Sequence, residues 1–109
     1  MATVIRLVKA KYVENAQTDQ YTAPGTVLID TCTVTNVGSS DATFSANLLP
    51  ISVAAGADNR VLNGRVLAPG QTYHCPELMG KVLYQNEKLS TLASAANTLV
   101  LDVTGRVIA

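Results

Sequence analysis

The run from Ala23 to Asn36, with the sequence APGTVLIDTCTVTN, constrains the fold of this chain more than any other stretch. It begins with an Ala-Pro-Gly turn and continues with residues that are mostly β-branched. Two heavy atoms on Cβ favour an extended backbone and make a helix costlier. A second turn, rich in Gly and Ser, follows Asn36 and ends the run. We therefore predict the long central strand of an antiparallel β-sandwich.

The alternation of apolar side chains changes phase inside this predicted strand. Val27 and Ile29 have one parity. Leu28, Cys32 and Val34 have the other, which they share with Asp30. Because one extra residue switches the side chains that face the core, the sequence predicts a β-bulge near Asp30.

The rest of the chain repeats short strand patterns between turns. Ala42–Leu49 alternates cleanly, which predicts a hairpin with the strand before it and places Phe44, the only phenylalanine, in the core. Arg60–Leu67 contains Asn63-Gly64, which is typical of a two-residue hairpin, but the flanking runs are short, so a bulge or kink within one strand is an equal alternative. A last strand begins at Leu99 and is predicted to break at Thr104-Gly105.

These patterns together predict the fold class. We count about eight short strands, with spacings of roughly 8–12 residues, which is the pattern of an all-β sandwich or barrel. Pro76–Gly80 is predicted as the one short helical turn, since Pro favours its start and Gly its end. The length of 109 residues fits a single domain over residues 1–109.

The N-terminal part, residues 1–22, is predicted to be a strand followed by a polar arm. Thr3–Lys9 alternates as a strand, whereas Glu14–Tyr21, ENAQTDQY, has no periodic apolar face. Such a segment cannot order itself by burial, so we expect the arm and the edge at residues 1–9 to contact a partner. The residues predicted as partner contacts are Tyr12, Glu14, Gln17, Asp19 and Tyr21.

Charge and hydropathy disfavour several classes of partner. Eight basic and eight acidic residues balance, so no net field attracts nucleic acid or anionic lipid. The N-terminus lacks the apolar core of a signal peptide, and no apolar run approaches the roughly 18 residues that cross a bilayer. We expect synthesis in a cytoplasm, with Cys32 and Cys75 as reduced, buried core residues.

The chain offers few residues for catalysis. His74 is the only histidine, and in a strand it points away from the face that carries Cys75, so it cannot activate that thiol. Asp30 and Asp102 interrupt apolar strands, either as outward charges that discourage edge pairing or as halves of buried ion pairs. The candidate zinc ligands have no recognised spacing: Cys32, His74, Cys75 and Glu77. We expect no enzymatic activity, no cofactor and no metal.

Three stretches of the sequence share their turns and small residues with a known group of proteins. They are TAPGTVLIDTCTVTNVGSSDATFSANLLP (22–50), LAPGQTYHCPELMGKVL (67–83) and LSTLASAANTLVLDVTGRVI (89–108). Together they resemble short β-sandwich virion proteins of tailed bacteriophages, of the capsid decoration or cement type. The resemblance implies a jelly-roll-like fold and a place on the outer capsid surface of the virion, after synthesis in the cytoplasm of a host bacterium. It implies no catalytic residue.

The function that this resemblance implies is structural. The protein is expected to decorate and cement a phage capsid by bridging neighbouring capsid subunits. Its expected partners are the major capsid protein and copies of itself, as a homodimer on the shell, with no nucleic acid and no membrane. Two alternatives stay open: a tail-fibre or spike-associated glycan-binding module, and a tail or head–tail joining ring protein.

Overall fold

A computed structural model describes residues 2–108 and gives an all-β fold. Met1 and Ala109, the two ends of the predicted domain, lie outside the described residues. Residues 2–108 form nine strands and one 3₁₀ turn, Ala57–Asn59. The strands are β1 (Thr3–Tyr12), β2 (Thr18–Thr22), β3 (Val27–Asn36), β4 (Ala42–Leu49), β5 (Arg60–Leu67), β6 (Thr72–Tyr73), β7 (Val82–Leu83), β8 (Lys88–Ala93) and β9 (Leu99–Val107).

The strand order is that of a jelly roll. A five-stranded sheet has the order β1-β9-β3-β6, with β7 also paired to β3, and a four-stranded sheet has the order β2-β8-β4-β5. β6 and β7 pair with opposite ends of β3 and act as one interrupted strand. The pairs β1–β9, β2–β8, β3–β6/β7 and β4–β5 are those of one long hairpin rolled into two sheets. The predicted antiparallel β-sandwich is confirmed.

The predicted bulge in β3 is confirmed. Ile29 and Thr31 pair with consecutive residues of β9, so Asp30 is the extra residue. The apolar side chains on both sides of the bulge are buried: Val27, Ile29, Cys32 and Val34. The bulge therefore keeps the apolar side of β3 on the core although the sequence changes phase.

The core lies between the two sheets, and Phe44 is its largest fully buried side chain. Phe44 belongs to one cluster with buried residues of both sheets, among them Leu89 of β8 and Leu101 of β9. The prediction that Phe44 lies in the core is confirmed.

The predicted hairpin between β3 and β4 is wrong. β4 pairs with β5 and β8 in the four-stranded sheet, whereas β3 lies in the other sheet. The connection after Asn36 crosses from one sheet to the other. Alternation along a strand shows which side is buried, and it carries no information on which strand lies alongside.

The predicted break at Thr104-Gly105 is also wrong, because β9 continues to Val107 between β1 and β3. Gly105 is buried, and a Cβ at this position would overlap the Leu28 carbonyl oxygen and press on Leu7. The glycine allows the close approach of neighbouring strands at this point.

Arg60–Leu67 is one strand with a bulge, which is the second of the two interpretations that the sequence allowed. Asn63 and Gly64 together oppose Ser45, and Gly64 has a φ of 63°. The Gly64 N–H donates to Ser45 Oγ at 2.8 Å. Glycine adopts this left-handed conformation without steric cost, so the bulge forms here.

The polar arm predicted over Glu14–Tyr21 is wrong for its second half. Thr18–Thr22 is β2, an edge strand that pairs with β8. Hydrogen bonds between side chains order this segment where apolar burial does not. Gln17 donates to Ser90 Oγ at 2.8 Å, and Gln20 donates to Thr91 Oγ1 at 3.0 Å.

Candidate functional site

The residues predicted as partner contacts lie on two different sheets. Tyr12 ends β1 in the five-stranded sheet and is 49% exposed. Asp19 and Tyr21 lie in β2 of the four-stranded sheet. Asp19 is exposed, whereas Tyr21 is half-buried against the core, and burial raises its pKa. The structure therefore does not bring Tyr12 and Tyr21 together as one aromatic surface.

Glu14 ties the two sheets together near their N-terminal strands. Its carboxylate accepts hydrogen bonds from Lys11 Nζ at 2.9 Å and from Gln20 Nε2 at 2.8 Å. The bond from Lys11, and after it the bond from Gln20, lowers the pKa of Glu14. Lys11 lies in β1 and Gln20 in β2, so Glu14 links the edge strands of the two sheets.

Gln17 belongs to a polar network on the four-stranded sheet. Besides its bond to Ser90, its Oε1 accepts a hydrogen bond from Arg60 Nη2 at 3.1 Å. Arg60 Nε also donates to Asn47 Oδ1 at 3.2 Å, and the Asn47 amide donates to Asn59 Oδ1 at 2.6 Å. Asn47 and Arg60 were not among the residues predicted from the sequence. A buried asparagine inside an apolar, alternating strand is the signal that identifies such a network.

An open cleft of about 370 Å³ lies beside this network. Asp19 and Lys88 line it and form an ion pair at 3.4 Å, and the connection after Leu49 forms another side. None of the described residues that line the cleft is aromatic, so it offers no ring on which a sugar could stack. This geometry gives no support to the glycan-binding alternative.

The long edge of the five-stranded sheet is β1. It has ten residues and pairs with β9 on one side. Val13 N–H donates to the Leu99 carbonyl at 2.8 Å, whereas Ile108 N–H donates to Thr26 on the β3 side. Backbone groups alternate along an antiparallel strand, so the odd-numbered residues of β9 face β1.

This alternation shows which backbone groups of β1 are open. Ile5 pairs with the odd-numbered Gly105, so its groups bond to β9. The flanking residues, Val4 and Arg6, therefore direct their N–H and C=O groups away from β9. Both side chains are exposed, and Val4 is 66% exposed. The first half of β1 is an open strand edge.

A row of apolar side chains, interrupted by Arg106, crosses the outer side of the five-stranded sheet from this edge. In register, Val4 lies beside Arg106, Arg106 beside Leu28, and Leu28 beside Val82. Arg106 donates from Nε and Nη2 to the Asp30 carboxylate at 3.0 Å. Asp30 is therefore half of an ion pair, and the pair is partly exposed on the outer side of the sheet.

Asp102 differs from Asp30. Its Oδ1 is buried and has no hydrogen-bond partner among the described residues.

The two thiols lie in the core as predicted. Cys32 and Cys75 are both free and buried. A hydrogen bond to Cys75, and after it burial, raises the pKa of Cys32, so the thiol form is favoured. His74 is exposed and Cys75 is buried, as predicted.

Among residues 2–108, no group of three or more His, Cys, Asp and Glu side chains is placed to hold a metal ion. Within the same range, no helix has the length and apolar character to span a bilayer.

Tyr73 titrates as part of a second polar cluster. Its hydroxyl donates to both Glu77 carboxylate oxygens at 2.7 Å, and the Arg65 guanidinium lies 4.4 Å from the centre of its ring. Burial, and after it the bond to Glu77, raises the pKa of Tyr73 to about 12. An unfolded tyrosine has a pKa of about 10. The folded protein therefore holds this proton more tightly than the unfolded chain does.

This pKa difference predicts a loss of stability at alkaline pH. The contribution of Tyr73 is complete below about pH 10 and disappears as the pH rises towards about 12, because the unfolded chain loses its proton first. Urea unfolding from pH 9 upwards measures it. We expect a smaller decline in the free energy of unfolding for Tyr73→Phe than for the wild type. An equal decline in the two proteins would contradict this assignment.

The comparisons with known proteins give a similarity in fold. No family model matches the sequence, and no curated protein is significantly similar to it. A chain in the structure of the infectious bursal disease virus Gx strain is similar in fold, with a TM-score of 0.56 and 12% identity. The similarity covers 98% of this chain and 33% of that one, so this chain spans about a third of the matched length. The jelly roll is therefore a fold that also occurs in a virus structure.

Proposed function

We propose that this chain is a non-catalytic structural protein of a tailed-phage virion, which binds the outside of the capsid and bridges neighbouring capsid subunits. The observation that carries the proposal is the similarity of nearly the whole fold to a chain of a virus structure. Jelly rolls recur in viral capsid domains and in lectins. The resemblance of the sequence to phage virion proteins favours the first of these two settings.

The architecture suits a part that stabilises a lattice. The core is a single cluster that joins both sheets, so the domain keeps its shape without a ligand. Open strand edges remain for contacts with neighbouring subunits. The affinity of each single contact need not be high, because many copies on a symmetric shell bind multivalently.

Adding the protein back to deficient particles tests the proposal. Particles from a virus with this gene disrupted are mixed with the purified wild-type chain and sedimented. We expect saturable binding to the shell and a higher temperature of genome release. Particles that neither bind the chain nor gain heat resistance would contradict the proposed function.

The location of the bound protein separates the alternatives. Immunogold labelling over the whole shell supports decoration of the capsid. Labelling confined to fibres would favour the glycan-binding module, and labelling confined to the neck or tail would favour the joining ring. Light scattering adds a second criterion, because a joining protein would form a ring in solution, whereas a decoration protein is expected as a monomer or dimer.

A further inference from the structure

We infer that the open edge of β1 at Thr3–Arg6 binds an extended, acidic segment of a partner protein by strand addition. This inference identifies the partner chemistry of the proposed function and rests on it for the identity of that partner as a capsid subunit. The strand addition itself rests on the geometry of β1.

The backbone of β1 has open hydrogen-bonding groups. Val4 and Arg6 direct their N–H and C=O groups away from β9, because they flank Ile5, whose groups bond to β9. An incoming strand satisfies these groups and extends the five-stranded sheet by one member. A bulge follows Arg6, since β1 has an extra residue between Arg6 and Val8. The regular stretch available to a partner is therefore Thr3–Arg6.

The charge of β1 is wholly positive. The strand contains Arg6, Lys9 and Lys11 and no acidic residue. Lys11 pairs with Glu14, whereas Arg6 and Lys9 have no ion pair among the described residues. Arg6 therefore stands without an ion pair on the open stretch, and Lys9 stands without one just beyond the bulge, which favours an acidic partner.

The other long edge differs in this respect. The arginines of β5 are engaged within the protein, Arg60 by Asn47 and Gln17 and Arg65 by the ring of Tyr73. Of these two edges, β1 has the cations that are open to a partner.

The same cations disfavour pairing of β1 with a second copy. If Val4 of one antiparallel β1 strand paired with Arg6 of the other, the two Arg6 side chains would be diagonal neighbours within reach of each other, and no acidic residue of β1 would neutralise them. Charged residues on an edge are a common protection against self-association. The positive charge of β1 therefore disfavours pairing with a second copy and favours binding of an acidic segment. Repulsion and attraction both contribute to this specificity. A homodimer on the shell would use another surface.

The side chains next to the open groups define the partner further. Val4 and Arg6 are exposed on the same side of the sheet, two residues apart. Cross-strand neighbours interact directly, so the partner strand is expected to place an apolar residue beside Val4 and a carboxylate beside Arg6. An alternation of apolar and acidic residues meets both requirements.

A synthetic peptide tests this chemistry. The probe is an end-blocked peptide in which glutamate alternates with valine and threonine, and the matched peptide has lysine in place of glutamate. Two-dimensional NMR of the full chain measures binding and the exchange of the Val4 and Arg6 amide protons. We expect the acidic peptide alone to bind, to slow exchange at both amides, and to bind more weakly as salt is added.

Two variants and a control locate the site. Arg6→Glu reverses the charge, and Val4→Pro removes an N–H that no β9 group uses, so the fold tolerates both. We expect each variant to bind the acidic peptide at least about tenfold more weakly, which corresponds to ~1.4 kcal/mol. Lys81→Glu makes the same charge change at an exposed residue before β7 and is expected to bind like the wild type. Circular dichroism and thermal unfolding verify that the variants fold.

The outcomes separate this inference from the proposed function. Equal binding of the acidic and basic peptides, equal binding by all variants, or no binding at millimolar peptide would overturn strand addition at β1. The same variants are then added to the deficient particles. If the wild type and Arg6→Glu bind the shell alike, the inference fails and the proposed function stands. If no form binds the shell while the peptide results hold, the edge binds acidic strands and the capsid assignment fails.

Discussion

Replacing Phe44 by alanine is expected to lower the free energy of unfolding by about 3–5 kcal/mol. Phe44 is completely buried and is the largest of the fully buried side chains among the described residues. Its removal loses the transfer free energy of the ring and leaves a cavity that two packed sheets cannot fill. Since a domain of this size is stable by about 5–15 kcal/mol in total, the loss is a large share. Urea unfolding measures it.

The control for this variant is Val66→Ala, an apolar truncation on β5 at a side chain that is 54% exposed. We expect a change within about 0.5 kcal/mol, because little buried surface is lost. Similar losses for the two variants would contradict the assignment of Phe44 to the centre of the core.

Replacing Asn36 by alanine is expected to cost about 2–4 kcal/mol. Asn36 is fully buried at the end of β3, where its Nδ2 donates at 2.9 Å to the carbonyl oxygens of Leu67 and Ser40. Its Oδ1 accepts the Gly38 N–H at 2.8 Å. The side chain thus satisfies three backbone groups where the chain crosses between the sheets. Alanine leaves the Leu67 carbonyl buried without this partner.

Two further variants separate the causes of this loss. Asn36→Leu keeps the branched shape of the side chain and removes the hydrogen bonds, so we expect it to remain destabilising. Asn63→Ala removes an exposed asparagine that accepts a single bond from Arg60, and we expect a change within about 0.5 kcal/mol. Full stability of Asn36→Leu would show that filling this space, and not hydrogen bonding, stabilises the crossing.

The sequence was sufficient for features that depend on a single strand. The phase change at Asp30 located the bulge, because the alternation of side chains is a local property. The burial of Phe44 followed from its place in a clean alternation.

Features that depend on the partner strand could not be predicted. β4 carries the same alternation whether it pairs with β3 or with β8, so the hairpin assignment failed. Gly105 is typical of a strand break when it is considered alone. In the structure, the Leu28 backbone lies so close to residue 105 that a side chain would overlap it, so glycine is needed there. This contact with β3 is not visible in the sequence.

The candidate site was predictable in part for the same reason. The edge at residues 1–9 was expected as a contact surface, and the structure places β1 at the edge of the five-stranded sheet. The order of β2 was not, because Gln17 and Gln20 are held by Ser90 and Thr91, residues about seventy positions away in sequence. A polar segment is predicted as an arm whenever its hydrogen-bond partners lie far along the chain.

The most direct test of the proposed function is the position of this chain on the virus particle, determined by cryo-electron microscopy. We expect a nine-stranded sandwich at repeated positions on the outside of the shell, with the Thr3–Arg6 edge of β1 against a strand of a capsid subunit. Absence of the chain from the shell, or its presence only in the tail or neck, would contradict the assignment to the capsid.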